Sequence, residues 1–144
     1  MANIIVSACL LGQPCTYRGD SNYCAEVCRL AEQHTLIAVC PEHMGGLPVP
    51  RPPAEIVGGQ VLTRDGRNVT AEYRRGAEAV LRLAQCHTAS CAVLKARSPS
   101  CGKGQIYDGT FTGQKCAGNG IAAEMLLDNG VPVYTEEELD DIQF

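Results

Sequence analysis

Short apolar runs alternate along this chain with amphipathic and turn-rich stretches. Asn3-Ile4-Ile5-Val6-Ser7-Ala8-Cys9, Thr35-Leu36-Ile37-Ala38-Val39-Cys40 and residues 91–97 around Ala92-Val93-Leu94 are too short for buried helices and read as strands. Val131-Pro132-Val133-Tyr134 is a fourth, and Pro132 argues for a sheet edge because it lacks a donor. Between them, Ser21 or Asn22 can cap a helix over roughly 22–33. Asn68 or Thr70 can start another, in which Tyr73, Ala77, Val80, Leu81 and Ala84 recur at helical spacing. Residues 121–129 are helical until Gly130 stops them. Ile56–Thr63 with Gly58-Gly59 predicts a hairpin, followed by a turn at Asp65-Gly66. Thr135 and Glu138 have the spacing of a capping box and predict a short terminal helix. Strands alternating with helices predict one α/β domain over residues 1–144: a Rossmann-like, three-layer fold with a mostly parallel sheet.

Two stretches break the alternation. Pro41–Glu55 holds five prolines and Gly45-Gly46, and a connection of that length in a small domain is usually functional. Asp108–Gly120 is polar and glycine-rich.

Composition narrows the function. With 144 residues, 45% of them hydrophobic, the chain can build a real core. A net charge of −4 carries no footprint for a nucleic-acid polymer. No apolar run approaches the ~20 residues of a membrane span, and Met1-Ala2-Asn3-Ile4 lacks a basic leader, so a cytoplasmic protein is expected. Nine cysteines is an odd and high count for such a chain. In a reducing compartment, metal binding by some of them is the economical explanation. Cys24, Cys28, Cys86 and Cys116 are expected to be ordinary packing or surface thiols.

The chemistry gathers at strand ends. Cys9 ends the first strand, Cys40 the second, and Cys101 sits after the third in the tight loop Ser98-Pro99-Ser100-Cys101-Gly102. In an open parallel sheet, the carboxyl ends of the strands are where ligands bind. Three thiolates suit zinc or an iron–sulfur cluster, and three protein ligands rather than four leave one metal position open. Cys15, six residues after Cys9, is the reserve ligand. Glu42, two residues after Cys40, can move a proton, and Ser98 or Ser100 can orient a substrate. Arg51 and Glu55 lie in the proline-rich loop. Lys95, Arg97 and Lys103 among nearby glycines offer a weak phosphate site. Of the three histidines only His43 is near the proposed centre.

Three segments in order resemble the thiouracil desulfidase family over essentially the whole chain. They are Val6-Ser7-Ala8-Cys9-Leu10-Leu11-Gly12; Cys40-Pro41-Glu42 with Pro50-Arg51-Pro52-Pro53-Ala54-Glu55-Ile56; and Ser98-Pro99-Ser100-Cys101-Gly102 with Ile106-Tyr107-Asp108-Gly109-Thr110-Phe111. The resemblance implies a 4Fe-4S cluster held by Cys9, Cys40 and Cys101, with one iron not ligated by protein. It implies Glu42 as the proton-transfer residue and Ser98 as the assisting hydroxyl. The partner it implies is a small thiolated nucleobase or nucleotide, such as thiouracil or a 4-thiouridine nucleotide. Water would replace the sulfur, and sulfide would leave without net redox change. A sulfurtransferase, or a nucleotide- or metal-binding module without turnover, is the alternative.

Overall fold

A computed structural model describes all 144 residues. Four strands form a parallel sheet: β1 (Asn3–Ser7), β2 (Thr35–Val39), β5 (Cys91–Leu94) and β8 (Val133–Thr135), in the order β2-β1-β5-β8. All three pairings are parallel, from Asn3 opposite Thr35 to Leu94 opposite Thr135. The last strand is an edge strand, as Pro132 predicts. Each strand is shorter than its apolar run, because residues past Ser7, Val39 and Leu94 turn off the sheet into the loops that carry the cysteines.

Period-two alternation splits the apolar residues between two cores. Ile5, Ala92 and Leu94 pack against Val80 and Ala84 of α3 (Thr70–Cys86) and Ala123 and Leu126 of α4 (Ile121–Asp128). Ile4, Val6, Cys91 and Val93 face the other way, onto Val27 of α1 (Ala25–Cys28) and Leu10. These are the three layers. The helix expected over 22–33 shrinks to the single turn of α1 and a 3-10 turn at Arg29–Glu32. Cys24 and Leu30 still pack on the second core, so the buried stripe is present without a continuous helix.

The long α3 forms as its periodicity predicts, burying Tyr73, Gly76, Ala77, Val80 and Ala84 along one stripe. Asn68 Oδ1 accepts from the Thr70 backbone N–H at 3.0 Å, closing the first turn. Thr70 Oγ1 in turn accepts from Val61 N at 2.8 Å, tying α3 to a hairpin. That hairpin, β3 (Ala54–Val57) and β4 (Gln60–Thr63), turns at Gly58-Gly59 as expected.

Two elements were not expected. Pro41–Met44 of the proline-rich stretch is a one-turn helix, α2, with Pro41 in its first turn where a missing N–H costs nothing. A second hairpin, β6 (Gln105–Tyr107) and β7 (Lys115–Ala117), lies in the glycine-rich region. The terminal capping box is half formed: Thr135 N donates to Glu138 Oε1 at 2.9 Å, but only a 3-10 turn at Leu139–Asp141 follows. No helix is long and apolar enough to cross a membrane.

Candidate active site

The chain passes from β1 out to β2 and then back across to β5, so the connections leave the sheet in opposite directions on either side of β1. The crevice above that switch point is where an open α/β sheet binds its ligand. A cavity of about 700 Å³ opens there, lined by Cys9, Cys15, Cys40, Glu42, Ser98 and Cys101 among others. The structure thus brings together all five residues singled out by sequence, and Cys15 with them.

Each thiol is placed by local chain geometry. Cys9 lies in the 3-10 turn Ala8–Leu11 that follows β1. Its carbonyl accepts from Asn22 N at 3.0 Å and Gly12 N at 3.2 Å. Cys40 sits between β2 and α2, its Sγ 3.7 Å from the Cys15 carbonyl. Cys15 lies within hydrogen-bonding reach of both. Its one S–H can serve only one of them at a time, and more than any other cause it draws both below an ordinary thiol. Cys15, whose proton either neighbour draws on, is itself pushed far up. Cys101 is fully buried, which raises it to about 12; Ser7 Oγ donates to its Sγ at 3.2 Å.

The Cys101 loop is clamped from beneath. Gly102 N bonds Ser98 O at 2.8 Å, Ile121 N bonds Pro99 O at 2.9 Å, and Ala122 N bonds Ser100 O at 2.8 Å. The first turn of α4 therefore spends its free donors on this loop. Gly120 makes the contact possible: a Cβ there would lie 2.5 Å from the Ser100 carbonyl carbon.

Glu42 stands opposite. Arg51 Nε donates to its Oε1 at 3.0 Å, and Ser100 Oγ donates to its Oε2 at 2.9 Å. Arg51 and Glu42 side chains are only 5% and 14% exposed, so this ion pair is screened little by solvent. The buried Tyr73 hydroxyl also faces Glu42; burial first, then that carboxylate, keeps the phenol protonated.

Three cations assigned a phosphate role by sequence are committed elsewhere. Lys95 pairs with Glu136 at 2.7 Å, Arg97 with Glu137 at 2.9 Å and Lys103 with Glu138 at 3.0 Å. Arg18 and Arg64 remain on the cavity wall: Arg18 approaches Asp20 only at 3.7 Å with both exposed, and Arg64 lies over the Phe111 ring. Glu55 Oε1 fixes that loop by accepting from Gly109 N and Phe111 N. His43 is exposed, its Nδ1 3.3 Å from the Leu47 carbonyl oxygen, and takes no part.

Sequence reasoning gave no role to Ser7 or Tyr73. Ser7 had a signal, as a polar residue directly following the apolar run Ile4-Ile5-Val6. Tyr73 had none, since it reads as one more position of the α3 stripe.

The donor set fits a multi-iron group better than a lone ion. No three His, Cys, Asp or Glu side chains converge on one point that would hold a single metal. Yet four thiols line one cavity, and two of them are lowered toward the thiolate, the ligand form.

The 2-thiouracil desulfurase family model matches residues 4–138. The chain belongs to the 2-thiouracil desulfurase family. Its sequence is 40% identical over 149 residues to the uncharacterized protein YbbK of Bacillus subtilis (strain 168), covering 96% of this chain and 99% of that one. A solved structure, the [4Fe-4S]-dependent thiouracil desulfidase TudS, superposes with a TM-score of 0.93 at 45% identity, over 98% of this chain and 95% of that one. Membership in the desulfurase family, with that structural likeness, accounts for the three-layer fold.

Proposed function

We propose that this chain is a [4Fe-4S]-dependent desulfidase that replaces the sulfur of a thiolated pyrimidine with oxygen from water and releases sulfide. The observation that carries the reading is the meeting, in one cavity, of thiols from the ends of β1, β2 and β5 with the Glu42–Arg51 pair and Ser98. Cys9, Cys40 and Cys101 would hold the cluster, leaving one iron without a protein ligand. When bound, the cluster supplies a Lewis-acidic iron for the substrate sulfur, which makes sulfur a better leaving group. The chain's own residues do the rest. Glu42 accepts the proton of the attacking water, Ser98 holds that water, and the cavity walls exclude the bulk solvent. Cys15 is the other thiol within reach of the same group, and in the iron-free chain it stands as the protonated partner of Cys9 and Cys40.

A cavity of about 700 Å³ has room beyond a bare pyrimidine ring. The nucleotide form fits this space, with its phosphate toward Arg64 and Arg18 at the rim.

The test is anaerobic reconstitution with iron and sulfide, followed by assay of sulfide and of the oxygenated base. Release of both from 4-thiouracil or 4-thiouridine monophosphate supports hydrolysis. Transfer of the sulfur to an added thiol, with no free sulfide, supports a sulfurtransferase instead. Iron content should fall to near zero in Cys9→Ser, Cys40→Ser and Cys101→Ser and persist in Cys15→Ser. Iron lost from Cys15→Ser and kept in Cys40→Ser would exchange those two roles. Arg64→Ala should raise KM for the monophosphate roughly tenfold and leave KM for the free base unchanged; equal effects on both would remove the phosphate from this rim.

A further inference from the structure

Tyr73 is the only residue of α3 that lines the cavity. Its ring packs with Val61 and Val69 in a small core and is 2% exposed. A phenylalanine would fill that core as well, so the hydroxyl is what needs a reason. A buried phenol normally finds an acceptor for its proton. Glu42 accepts from Arg51 Nε at 3.0 Å and from Ser100 Oγ at 2.9 Å; Tyr73 is not among its donors and gives its proton to no other group of the chain. Yet no fully buried side-chain oxygen or nitrogen is left unpaired. The hydroxyl is therefore the part of Tyr73 that reaches the cavity, and it does so facing Glu42, Arg51 and Cys101.

Burial, and after it the Glu42 carboxylate, keeps this phenol protonated, so it offers the cavity a permanent donor. Glu42, which lines the same cavity, has one donor on each oxygen and one lone pair free on each. A ligand between the two must give a proton to the carboxylate and a lone pair to the phenol. Water does both, and keeps a second lone pair with which to bond carbon. The N–H and C=O edge of a pyrimidine also meets the first two demands, but it brings no nucleophile.

We infer that the Tyr73 hydroxyl donates to the water that attacks beside Glu42, and stays on that oxygen until it is the carbonyl of the product. The inference rests on the desulfidase reading above. Water loses one proton to Glu42 as its oxygen bonds the ring carbon. The carbon–sulfur bond breaks with its electron pair on sulfur, and the second water proton leaves as the carbonyl forms. Both protons go out with the sulfur as hydrogen sulfide. Thiocarbonyl plus water thus gives carbonyl plus hydrogen sulfide, with no oxidant or reductant. The oxygen grows richer in electrons as its protons leave, and a donor already fixed on it counts most where that charge develops. Tyr73 gives up no proton itself and is a catalytic residue only as this donor.

The experiment compares iron-loaded wild type with iron-loaded Tyr73→Phe, which removes the hydroxyl and keeps the ring. Iron per chain, kcat per loaded cluster, the dissociation constant of 4-thiouracil and the inhibition constant of the product uracil are measured, with the denaturant midpoint of the iron-free chains. Tyr73→Phe should keep its iron and its midpoint, because the lost hydroxyl has no partner in the fold. It should bind 4-thiouracil within about twofold of wild type, while kcat falls about 100-fold, the worth of one donor on a developing charge. The inhibition constant of uracil should rise roughly three- to tenfold, since only the product carries the oxygen that Tyr73 holds. A kcat within about threefold of wild type overturns the assignment. A lower midpoint also overturns it, by showing the hydroxyl bonded within the fold. Equal weakening of 4-thiouracil and uracil overturns it as well, by placing the hydroxyl on a ring edge that both share. A loaded wild type that releases no sulfide overturns the desulfidase reading, and the role of Tyr73 with it.

Discussion

Arg51 joins three loops through one guanidinium. Nε holds Glu42, Nη1 reaches the Pro48 carbonyl at 3.1 Å, and Nη2 reaches the Cys15 carbonyl at 2.9 Å. One planar fork thus fixes Glu42 and the strand of chain that carries Cys15. An ammonium cannot cover three such directions at once. Removing one partner of a buried pair strands the other, at a cost of about 3–5 kcal/mol. Arg51→Gln should destabilise the iron-free chain by about that much in chemical denaturation, and a loss below about 1 kcal/mol would show the pair to be dispensable. Thiol reactivity follows from the same loops. Cys40, lowered to about 6, is largely thiolate at neutral pH and Cys9, lowered to about 7, is roughly half so, with the single Cys15 S–H shared between them. Their lowered values mean that reactivity rises as pH climbs from 5 to 8 and is gone in acid. Cys101, at about 12 and buried, stays a thiol throughout. Brief alkylation of the iron-free chain at pH 7, mapped by mass spectrometry, should label Cys40 and Cys9 among the site cysteines and spare Cys101. Labelling of Cys101 first would contradict the placement of that loop.

At the scale of elements, α2 carries Glu42 and is pressed against α3 more closely than side chains allow. A Cβ on Gly76 would lie 1.8 Å from the Pro41 carbonyl oxygen, and one on Gly45 would lie 1.9 Å from that of Glu72. Alanine in place of a mid-helix glycine ordinarily stabilises by about 0.5–1 kcal/mol. Here the sign reverses, since backbone must move and Glu42 moves with it. Gly76→Ala should lower both the thermal midpoint and kcat, and a rise in the midpoint with activity intact would refute the close approach. Sequence cannot show this contact. A glycine inside the α3 pattern reads only as a local penalty, and nothing in its neighbours names Pro41 as the reason. The same limit hid α2 itself, because one helical turn has no periodicity and its proline and glycines read as loop. It hid the β6–β7 hairpin too, whose strands of three residues are too short to alternate. α3 and α4 were legible because their apolar residues repeat for long enough to declare a period, and the four sheet strands because each is a short apolar run too brief for a buried helix.

At the scale of the whole molecule, the site was legible where a strand's apolar run ends in a cysteine, since topology alone then gathers Cys9, Cys40 and Cys101 above the switch point. It was not legible where distant loops meet, as when Ser100 reaches Glu42 across 58 positions of sequence. The three glutamates after β8 belong to this second kind. Glu136, Glu137 and Glu138 face Lys95, Arg97 and Lys103, one to one, and so clasp the Cys101 segment to the far edge of the sheet. The three pairs are not equal. Glu137 is 57% exposed and Arg97 25%, so solvent screens that pair to about 0–1 kcal/mol. Glu136 is 14% exposed and does more: Oε2 takes Lys95 Nζ, while Oε1 accepts from Ala96 N at 2.8 Å, just where the chain leaves β5. Losing a charged acceptor from that buried N–H costs about 1.5–3 kcal/mol. Arg97 holds the Glu137 carboxyl below the ordinary carboxylate range. Its small share of stability is therefore present at neutral pH and fades as pH falls through that range. Denaturant midpoints at pH 7 should thus fall clearly in Glu136→Gln and barely in Glu137→Gln, and the first variant should also lose iron faster to a chelator. Equal midpoints for the two would mean that charge alone, and not the hold on Ala96, fastens the cysteine loop.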